Sequence, residues 1–361
     1  MSRSMEEERQ SEHHRPKFSW QRLAVFAALF TAFTLAGFYA VFDHFSGRTF
    51  SFDTRLLQPG VILATLVLLL VYFTADGLRL YYTLVALGAR IPATAMAKLV
   101  FINIFFSNIT PMATGGGFAQ VWFLHDHGIS VGRATAATTI RTVLAILFIF
   151  SLTPVLLFLL PTLGASSLSS DIGTALLVVA ILYFTFFAVV LLRAQWLITP
   201  VTLIIQRLQV WGLISEHKAR LWYFKVMREV LRFARSFSVY CKGPKAAIAL
   251  SVLATGVFLL CLFSFPALLM WGLGYDVPYL TSVGLLVVTT FIMYFSPTPG
   301  ASGISEGVFG SFFNDLLAHE HLLLVTFSWR FLTIYLGMIL GLFILQRYLI
   351  TRSQCNGEAA S

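Results

Sequence analysis

Five ionisable side chains inside or beside long apolar stretches carry most of the chemistry that this sequence offers. They are Asp76, Arg79, Arg141, Glu306 and Arg330. An ionisable side chain at membrane depth is costly, so each is a candidate for substrate binding or for an internal ion pair. A guanidinium suits a phosphate because its N–H donors form a planar fork. A carboxylate can neutralise such a group or carry a proton.

The spacing of these residues suggests how they are used. Asp76 and Arg79 are three residues apart on one helical face, which favours a structural ion pair. Arg141 could bind a phosphate, or it could extend its side chain to the cytoplasmic interface. Arg330 lies too deep in an apolar stretch for that extension. We therefore expect Arg330 to pair with Glu306 near a substrate cavity.

Two glycine-containing motifs interrupt stretches that otherwise have the composition of membrane helix. They are "NITPMATGGGFAQ" at 108–120 and "SPTPGASGISEG" at 296–307. Pro and consecutive Gly break helices, and irregular backbone at membrane depth is tolerated only where it is buried in protein or lines a watery cavity. We expect both breaks to line a polar cavity. Besides Arg141, Glu306 and Arg330, the predicted substrate-binding residues are Thr110, Gly115, Gly116, Thr298 and Gly300.

Membrane helices are the elements that must position these residues. Of the 361 residues, 58% are hydrophobic and 11% are charged, whereas roughly a quarter are charged in a soluble domain. A bilayer is crossed by about 20 apolar residues. The composition thus excludes a soluble globular protein and predicts an all-α polytopic membrane protein. Its six full spans are expected at about 21–42, 58–86, 134–160, 172–192, 246–270 and 321–346.

Basic residues predict the orientation of these spans. Residues 193–245 contain ten Lys and Arg against two Glu, while 161–170 and 271–279 contain neither Lys nor Arg. Basic loops stay in the cytoplasm, so this loop and both termini are predicted to be cytoplasmic. The chain then divides into a tail at 1–20, one transmembrane domain at 21–346 and a tail at 347–361, in the plasma (bacterial inner) membrane. Within that domain, a basic connector at about 194–245 is expected as an amphipathic helix on an anionic leaflet.

The parity of the crossings leaves two segments that begin and end on the same face. Residues 97–130 begin and end inside, and residues 278–320 begin and end outside. We therefore predict two re-entrant broken hairpins that enter from opposite faces. This arrangement indicates an inverted repeat, a plan found in secondary transporters, although the two halves show no evident sequence identity.

The stretches "TPMATGGGFAQVWFLHDHGISVGRATAATTIR" and "PTPGASGISEGVFGSFF" resemble the flippase-like membrane region of the lysylphosphatidylglycerol synthases. The resemblance covers about residues 20–346. It implies that a phospholipid or a lipid-linked molecule moves between leaflets. Because only 14 residues follow Arg347, we expect a stand-alone member without the soluble synthase domain, and no lipid aminoacylation.

The predicted function is a passive or ion-coupled lipid flippase. Its polar cavity would take the headgroup, with Arg141 and Arg330 on an anionic phosphate and Glu306 balancing Arg330 or carrying a proton. Two alternatives stay open: a secondary transporter of a soluble solute, and an intramembrane lipid-modifying enzyme that uses Glu306. No nucleophile set, metal-ligand spacing or G-x-x-x-x-G-K motif is evident, so we expect a transporter without metal or cofactor. Membrane lipids, especially anionic ones, are the expected partners, nucleic acid is not, and a homo-oligomer is left open.

Overall fold

The computed structural model describes residues 52–159 and 235–358, with scattered single positions at 28–39 and 178–228. Every named element in this part of the chain is a helix, and four helices are long and apolar enough to cross a membrane. The prediction of an all-α polytopic membrane protein is therefore confirmed. The predicted spans at about 21–42 and 172–192 lie outside the continuously described residues, as do the outer loop at 161–170 and most of the basic connector.

The first half of the described chain contains four α-helices. A short 3-10 helix at Thr54–Leu57 leads into α1 (Pro59–Ala86), which is followed by α2 (Ala93–Ile109), α3 (Thr114–Asp126) and α4 (Val131–Leu159). Helices α1 and α4 correspond to the spans predicted at 58–86 and 134–160. The length of the apolar run determines where each of these helices begins and ends. The predicted and observed bounds therefore differ by three residues or fewer at each end.

The second half follows the same order. It consists of α5 (Lys245–Gly272), α6 (Tyr279–Met293), α7 (Ile304–Phe313), α8 (His319–Arg330), a π-helical turn (Phe331–Tyr335) and α9 (Leu336–Glu358). The last three elements are continuous and include the final span, His319–Thr351. Helix α5 corresponds to the span predicted at 246–270.

The two halves share a signature that the sequence analysis overlooked. Helices α1 and α5 each have 28 residues and are each followed by six connecting residues, "LGARIP" at 87–92 and "LGYDVP" at 273–278. Gly88 and Gly274 have φ of +73° and +82°. The N–H of the next residue bonds a carbonyl five residues earlier, at 2.9 and 3.0 Å respectively. This ending is the Schellman type, which favours glycine, so the L-G-x-x-x-P spacing marks a structural repeat.

The buried side chains form two apolar clusters at different levels along the helices. On α1, Leu69 and Tyr72 belong to the first cluster, and Leu80 and Leu84 belong to the second. Asp76 stands between these two pairs on the same helix, and it is buried. The core thus contains a charged residue at the position along α1 where the two apolar clusters meet.

Helix α9 packs closely against α2. A Cβ atom on Gly341 would lie 2.2 Å from the carbonyl oxygen of Phe101, and one on Gly337 would lie 2.9 Å from Cγ2 of Ile104. Larger residues at these positions would force the two helices apart. The last helix therefore contacts the first half of the chain, after the π-helical turn.

Candidate functional site

Both predicted breaks are present, and their tips meet. Residues 110–113 separate α2 from α3, and residues 294–303 separate α6 from α7. Pro111 and Pro299 form an isolated antiparallel bridge between the two breaks. Met112, Ala113 and Ala301 have φ of +53°, +53° and +54°, and they are the non-glycine residues with positive φ in the described chain. Such conformations cost about 1–3 kcal/mol each and concentrate at functional sites.

The first break is tied to the helices beside it. Thr110 Oγ1 donates to the carbonyl of Phe106 at 2.7 Å and accepts from the N–H of Gly115 at 2.8 Å. A Cβ atom on Gly116 would lie 1.8 Å from Ser107 Oγ and 2.7 Å from Asn103 Oδ1, so a larger residue in this first turn of α3 would require both side chains on α2 to move. These contacts give Thr110, Gly115 and Gly116 a role in holding the break, and substrate binding by them stays a prediction.

The second break is held by hydroxyl groups and by an arginine. Thr298 Oγ1 donates to the carbonyl of Ser302 at 2.9 Å and shares a hydrogen bond with Ser296 Oγ at 2.8 Å. The carbonyl of Gly300 accepts from Nη2 of Arg330 at 2.9 Å. Thr298 and Gly300 therefore stabilise the break directly, and their predicted contact with substrate is a separate question.

The predicted pair of Glu306 and Arg330 is present, and both side chains are completely buried. Arg330 Nε lies 2.9 Å from Glu306 Oε1. Glu306 Oε2 accepts from the N–H of Gly303 at 2.7 Å and from Ser305 Oγ at 2.8 Å. Arg330 Nη2 also lies 3.3 Å from Ser302 Oγ. The pair thus fastens the start of α7 and the second break to the end of α8.

A second charged cluster joins α1 to α4. Asp76 Oδ1 accepts from Arg79 Nε at 2.8 Å and lies 2.6 Å from Arg79 Nη2, as the predicted structural ion pair requires. The same oxygen accepts from Arg141 Nη2 at 2.5 Å. All three side chains are more than nine-tenths buried. The alternative in which Arg141 extends to the interface is therefore wrong, because an available carboxylate inside the bundle binds it.

The two clusters differ in charge. Glu306 and Arg330 sum to zero, whereas Asp76, Arg79 and Arg141 sum to one positive charge. The ring of Phe258 lies 3.7 Å from Cζ of Arg79, a cation–π contact that stabilises a cation without neutralising it. Of these two clusters of described residues, the cluster of Asp76, Arg79 and Arg141 is thus the one that carries a net charge.

The chain is similar to a known protein family over most of its length. The model of the family described as the lysylphosphatidylglycerol synthase TM region matches residues 20–341. The chain belongs to this family. A relative named "UPF0104 membrane protein", from Archaeoglobus fulgidus, is 23% identical over 256 residues, which are 71% of this chain and 76% of the relative. The resemblance inferred from the glycine motifs is thereby confirmed.

Membership in the lysylphosphatidylglycerol synthase TM family fixes the general class. Together with the apolar helices, it identifies a multi-pass membrane protein of lipid metabolism or transport. The matched region contains both breaks and the five buried charged residues described above, but it ends at 341, soon after the start of α9.

Among the described residues, no group of three His, Cys, Asp or Glu could hold a metal ion.

An apolar groove lies between α1 and α5, with a volume of about 800 Å³. Ser264, Asp276 and Tyr279 are among its polar lining residues, and Ser264 Oγ and Tyr279 OH share a hydrogen bond of 2.7 Å. Trp271 forms part of the α5 wall. The α1 wall consists of residues spaced three and four apart, namely Gly60, Leu63, Ala64, Val67, Leu68 and Val71. Local sequence patterns do not reveal this groove, because the residues of its two walls are about 200 positions apart in the chain.

A polar group lies just before α1, outside the spanning segment. Arg55 donates to Asp53 Oδ2 through Nε at 2.8 Å, and this side-chain hydrogen bond is the main cause that lowers the pKa of Asp53 from 3.8 to about 2. His321 Nε2 lies 3.3 Å from the same oxygen, and His321 Nδ1 lies 2.7 Å from Tyr275 OH. These contacts connect the beginning of α1 to the beginning of α8.

Proposed function

We propose that this protein moves a phospholipid or a lipid-linked molecule between the leaflets of the plasma membrane, which is the inner membrane in a bacterium. The observation that carries the proposal is the contact between two helix breaks at Pro111 and Pro299, in a member of a lipid-associated membrane family. In secondary transporters, broken helices that meet near the bilayer midplane supply polar backbone to a substrate.

The helix lengths support re-entrant hairpins within this proposal. Helices α3 and α7 have 13 and 10 residues. At about 1.5 Å per residue they are roughly 20 and 15 Å long, which is short of the ~30 Å hydrocarbon core. In this proposal each hairpin enters and returns on one side, with α2–α3 inserted from the cytoplasm and α6–α7 from outside. Both termini and the basic connector are cytoplasmic in this arrangement.

The groove between α1 and α5 favours a lipid over a soluble solute. Its walls are mostly apolar, and several wall residues, such as Leu63 and Val67, are more than half exposed. An acyl chain can occupy such a surface without meeting water. Val71 is the last α1 residue of the groove, and Asp76 follows five residues later. That offset is about 7.5 Å along the helix but roughly 140° around it, so the groove ends near the level of the charged cluster on a different face of α1.

The burial of Glu306 argues for transport rather than lipid modification. A general acid or base must reach its substrate within hydrogen-bond distance. Glu306 is completely buried, and its two oxygens contact Gly303, Ser305 and Arg330. A secondary transporter of a soluble solute is the second candidate, because two breaks that meet could also serve such a substrate.

A reconstitution assay tests the proposed function. The purified protein is placed in liposomes that contain a trace of phosphatidylglycerol with a fluorescent headgroup, and an impermeant reductant is added outside. We expect the protein to expose inner-leaflet label to the reductant, and Ala64→Trp to slow this exposure because the indole fills the groove. Leu66→Trp is the matched control, since Leu66 is exposed on α1 but does not line the groove.

Three results would count against the proposal. Wild-type protein that leaves the inner-leaflet label protected would reject lipid movement. Full activity in Ala64→Trp would reject the groove as the lipid path. Uptake of a soluble anion by liposomes that show no lipid movement would favour the second candidate.

A further inference from the structure

The cluster of Asp76, Arg79 and Arg141 contains one positive charge more than it can neutralise. The contacts that Asp76 makes with the two arginines converge on its single oxygen Oδ1. One carboxylate carries one charge, so it can compensate one of the two guanidinium groups. The remaining charge is buried, since the side chains of Arg79 and Arg141 are 9% and 8% exposed.

Unused donors accompany the surplus charge. Arg141 Nε is buried and has no hydrogen-bond partner among the described residues. Each guanidinium carries several N–H donors, and the contacts with Asp76 Oδ1 use only part of those on Arg79 and Arg141. An uncompensated, incompletely hydrogen-bonded charge is expensive at membrane depth. A second anion would remove both costs.

We propose that Arg79 and Arg141 form a binding site for one phosphodiester monoanion, and that Asp76 occupies part of this site when the anion is absent. The charge count sets the class of ligand, because one negative charge brings the cluster to neutrality and a dianion would overshoot it. The two non-bridging oxygens of a phosphodiester suit the donor fork of arginine. The proposal rests on the proposed function for its natural source, the phosphate of a lipid headgroup.

The second charged pair does not offer the same site. Glu306 and Arg330 are already neutral together, and neither is accessible. Arg330 Nη2 is engaged by Gly300 and Ser302, whereas Arg330 Nε and Nη1 have no hydrogen-bond partner among the described residues, so the net charge and not the unused donors distinguishes the two clusters. An anion at this position would have to displace Glu306 from contacts with two further donors. The role that the sequence analysis divided between Arg141 and Arg330 therefore belongs to Arg141 together with Arg79.

Lipid-dependent thermal stability tests this site without measuring transport. Purified protein in neutral detergent is titrated with phosphatidylglycerol, a monoanionic phosphodiester, and separately with phosphatidylcholine, whose phosphodiester is balanced by its own cation. Inorganic phosphate is titrated as the free-anion probe. We expect phosphatidylglycerol to raise the unfolding midpoint of the wild type, and phosphatidylcholine and inorganic phosphate to have little effect.

Variants at the cluster should respond in opposite directions. Arg141→Gln leaves Asp76 and Arg79 as a neutral pair, so it should fold and bind phosphatidylglycerol at least about tenfold more weakly, the usual result of losing a charge-assisted hydrogen bond. Asp76→Asn leaves two positive charges. It should have a lower midpoint in detergent alone and a larger increase with phosphatidylglycerol than the wild type. Arg133→Gln, at an exposed position of α4, should behave as the wild type.

Several outcomes would overturn the proposal. Equal phosphatidylglycerol responses in Arg141→Gln and the wild type would show that the arginine does not bind the anion. Failure of phosphatidylglycerol to restore Asp76→Asn would make Asp76 a structural strut only. An equal increase with inorganic phosphate would keep the anion site and overturn the lipid headgroup as its source.

The proposed function can fail independently of this site. If wild-type liposomes show no lipid movement while the phosphatidylglycerol response and its dependence on Arg141 persist, flipping is rejected and the anion site stands. If lipid moves but the response does not depend on Arg141, the site is rejected and flipping stands.

Discussion

Neutralising Glu306 should destabilise the protein, and neutralising both partners should restore much of the loss. In Glu306→Gln the amide keeps the shape of the side chain, but Arg330 loses the carboxylate 2.9 Å from its Nε in a completely buried position. Removing one partner of a buried ion pair costs about 3–5 kcal/mol. Total stability is typically ~5–15 kcal/mol, so the variant should lose a large share of it. The donors Gly303 and Ser305 also lose a charged acceptor.

The double variant Glu306→Gln/Arg330→Met separates charge from packing. A neutral pair of similar volume has no uncompensated charge, and such replacements are often neutral or stabilising. We therefore expect the double variant to unfold at a higher temperature than Glu306→Gln alone. The assay is thermal unfolding in detergent with the yield of monodisperse protein. Asp315→Asn, at an exposed position between α7 and α8, is the control.

Lipid movement in the same variants shows whether the pair does more than hold the second break. If the double variant regains stability but transports slowly, the charges also act on substrate. If it regains both, the pair is a strut. The ion pair does not stabilise the protein if Glu306→Gln is as stable as the wild type, or if the double variant is less stable than both single variants.

Three further predictions concern packing, topology and pH. Gly116→Ala should reduce the yield of folded protein because the side chains of Ser107 and Asn103 must move, whereas Gly117→Ala, whose added Cβ would lie 3.8 Å from its nearest neighbour, should be tolerated; size-exclusion profiles distinguish them. In a Cys-free background, S166C should react with an impermeant reagent from outside, and labelling only from the cytoplasm would reject the topology. Because Arg55 lowers the pKa of Asp53 from 3.8 to about 2, the stability from this contact is present above about pH 4 and lost as the pH falls towards 2; acid unfolding of Asp53→Asn should lack that step.

The sequence predicted the described spans and the breaks because both depend on local composition. Apolar runs placed α1, α4 and α5 close to their observed ends, and Pro with Gly located the interruptions at 110–113 and 294–303. The sequence also predicted that Glu306 pairs with Arg330, because each was the nearest residue that could neutralise the other within the membrane.

Contacts between distant segments could not be predicted in the same way. Asp76 and Arg141 are 65 residues apart, and nothing in the local pattern of either helix selects the other as a partner. A count of charges could have suggested it, because the spans predicted at 58–86 and 134–160 together contain one acid, Asp76, and two arginines. The repeated L-G-x-x-x-P spacing was also visible in the sequence. A comparison of residue identities over the two complete halves does not detect a motif of only six positions.

The π-helical turn at Phe331–Tyr335 divides one long helix into parts with different attachments. Before the turn, Arg330 binds the second break through Gly300. After it, Gly341 places α9 against α2, the helix that leads into the first break. A π turn inserts an additional residue and rotates the remainder of the helix by about one helical position. The turn therefore lies between the contact with the second break and the contact with α2, and we expect a change in its winding to shift one break relative to the other.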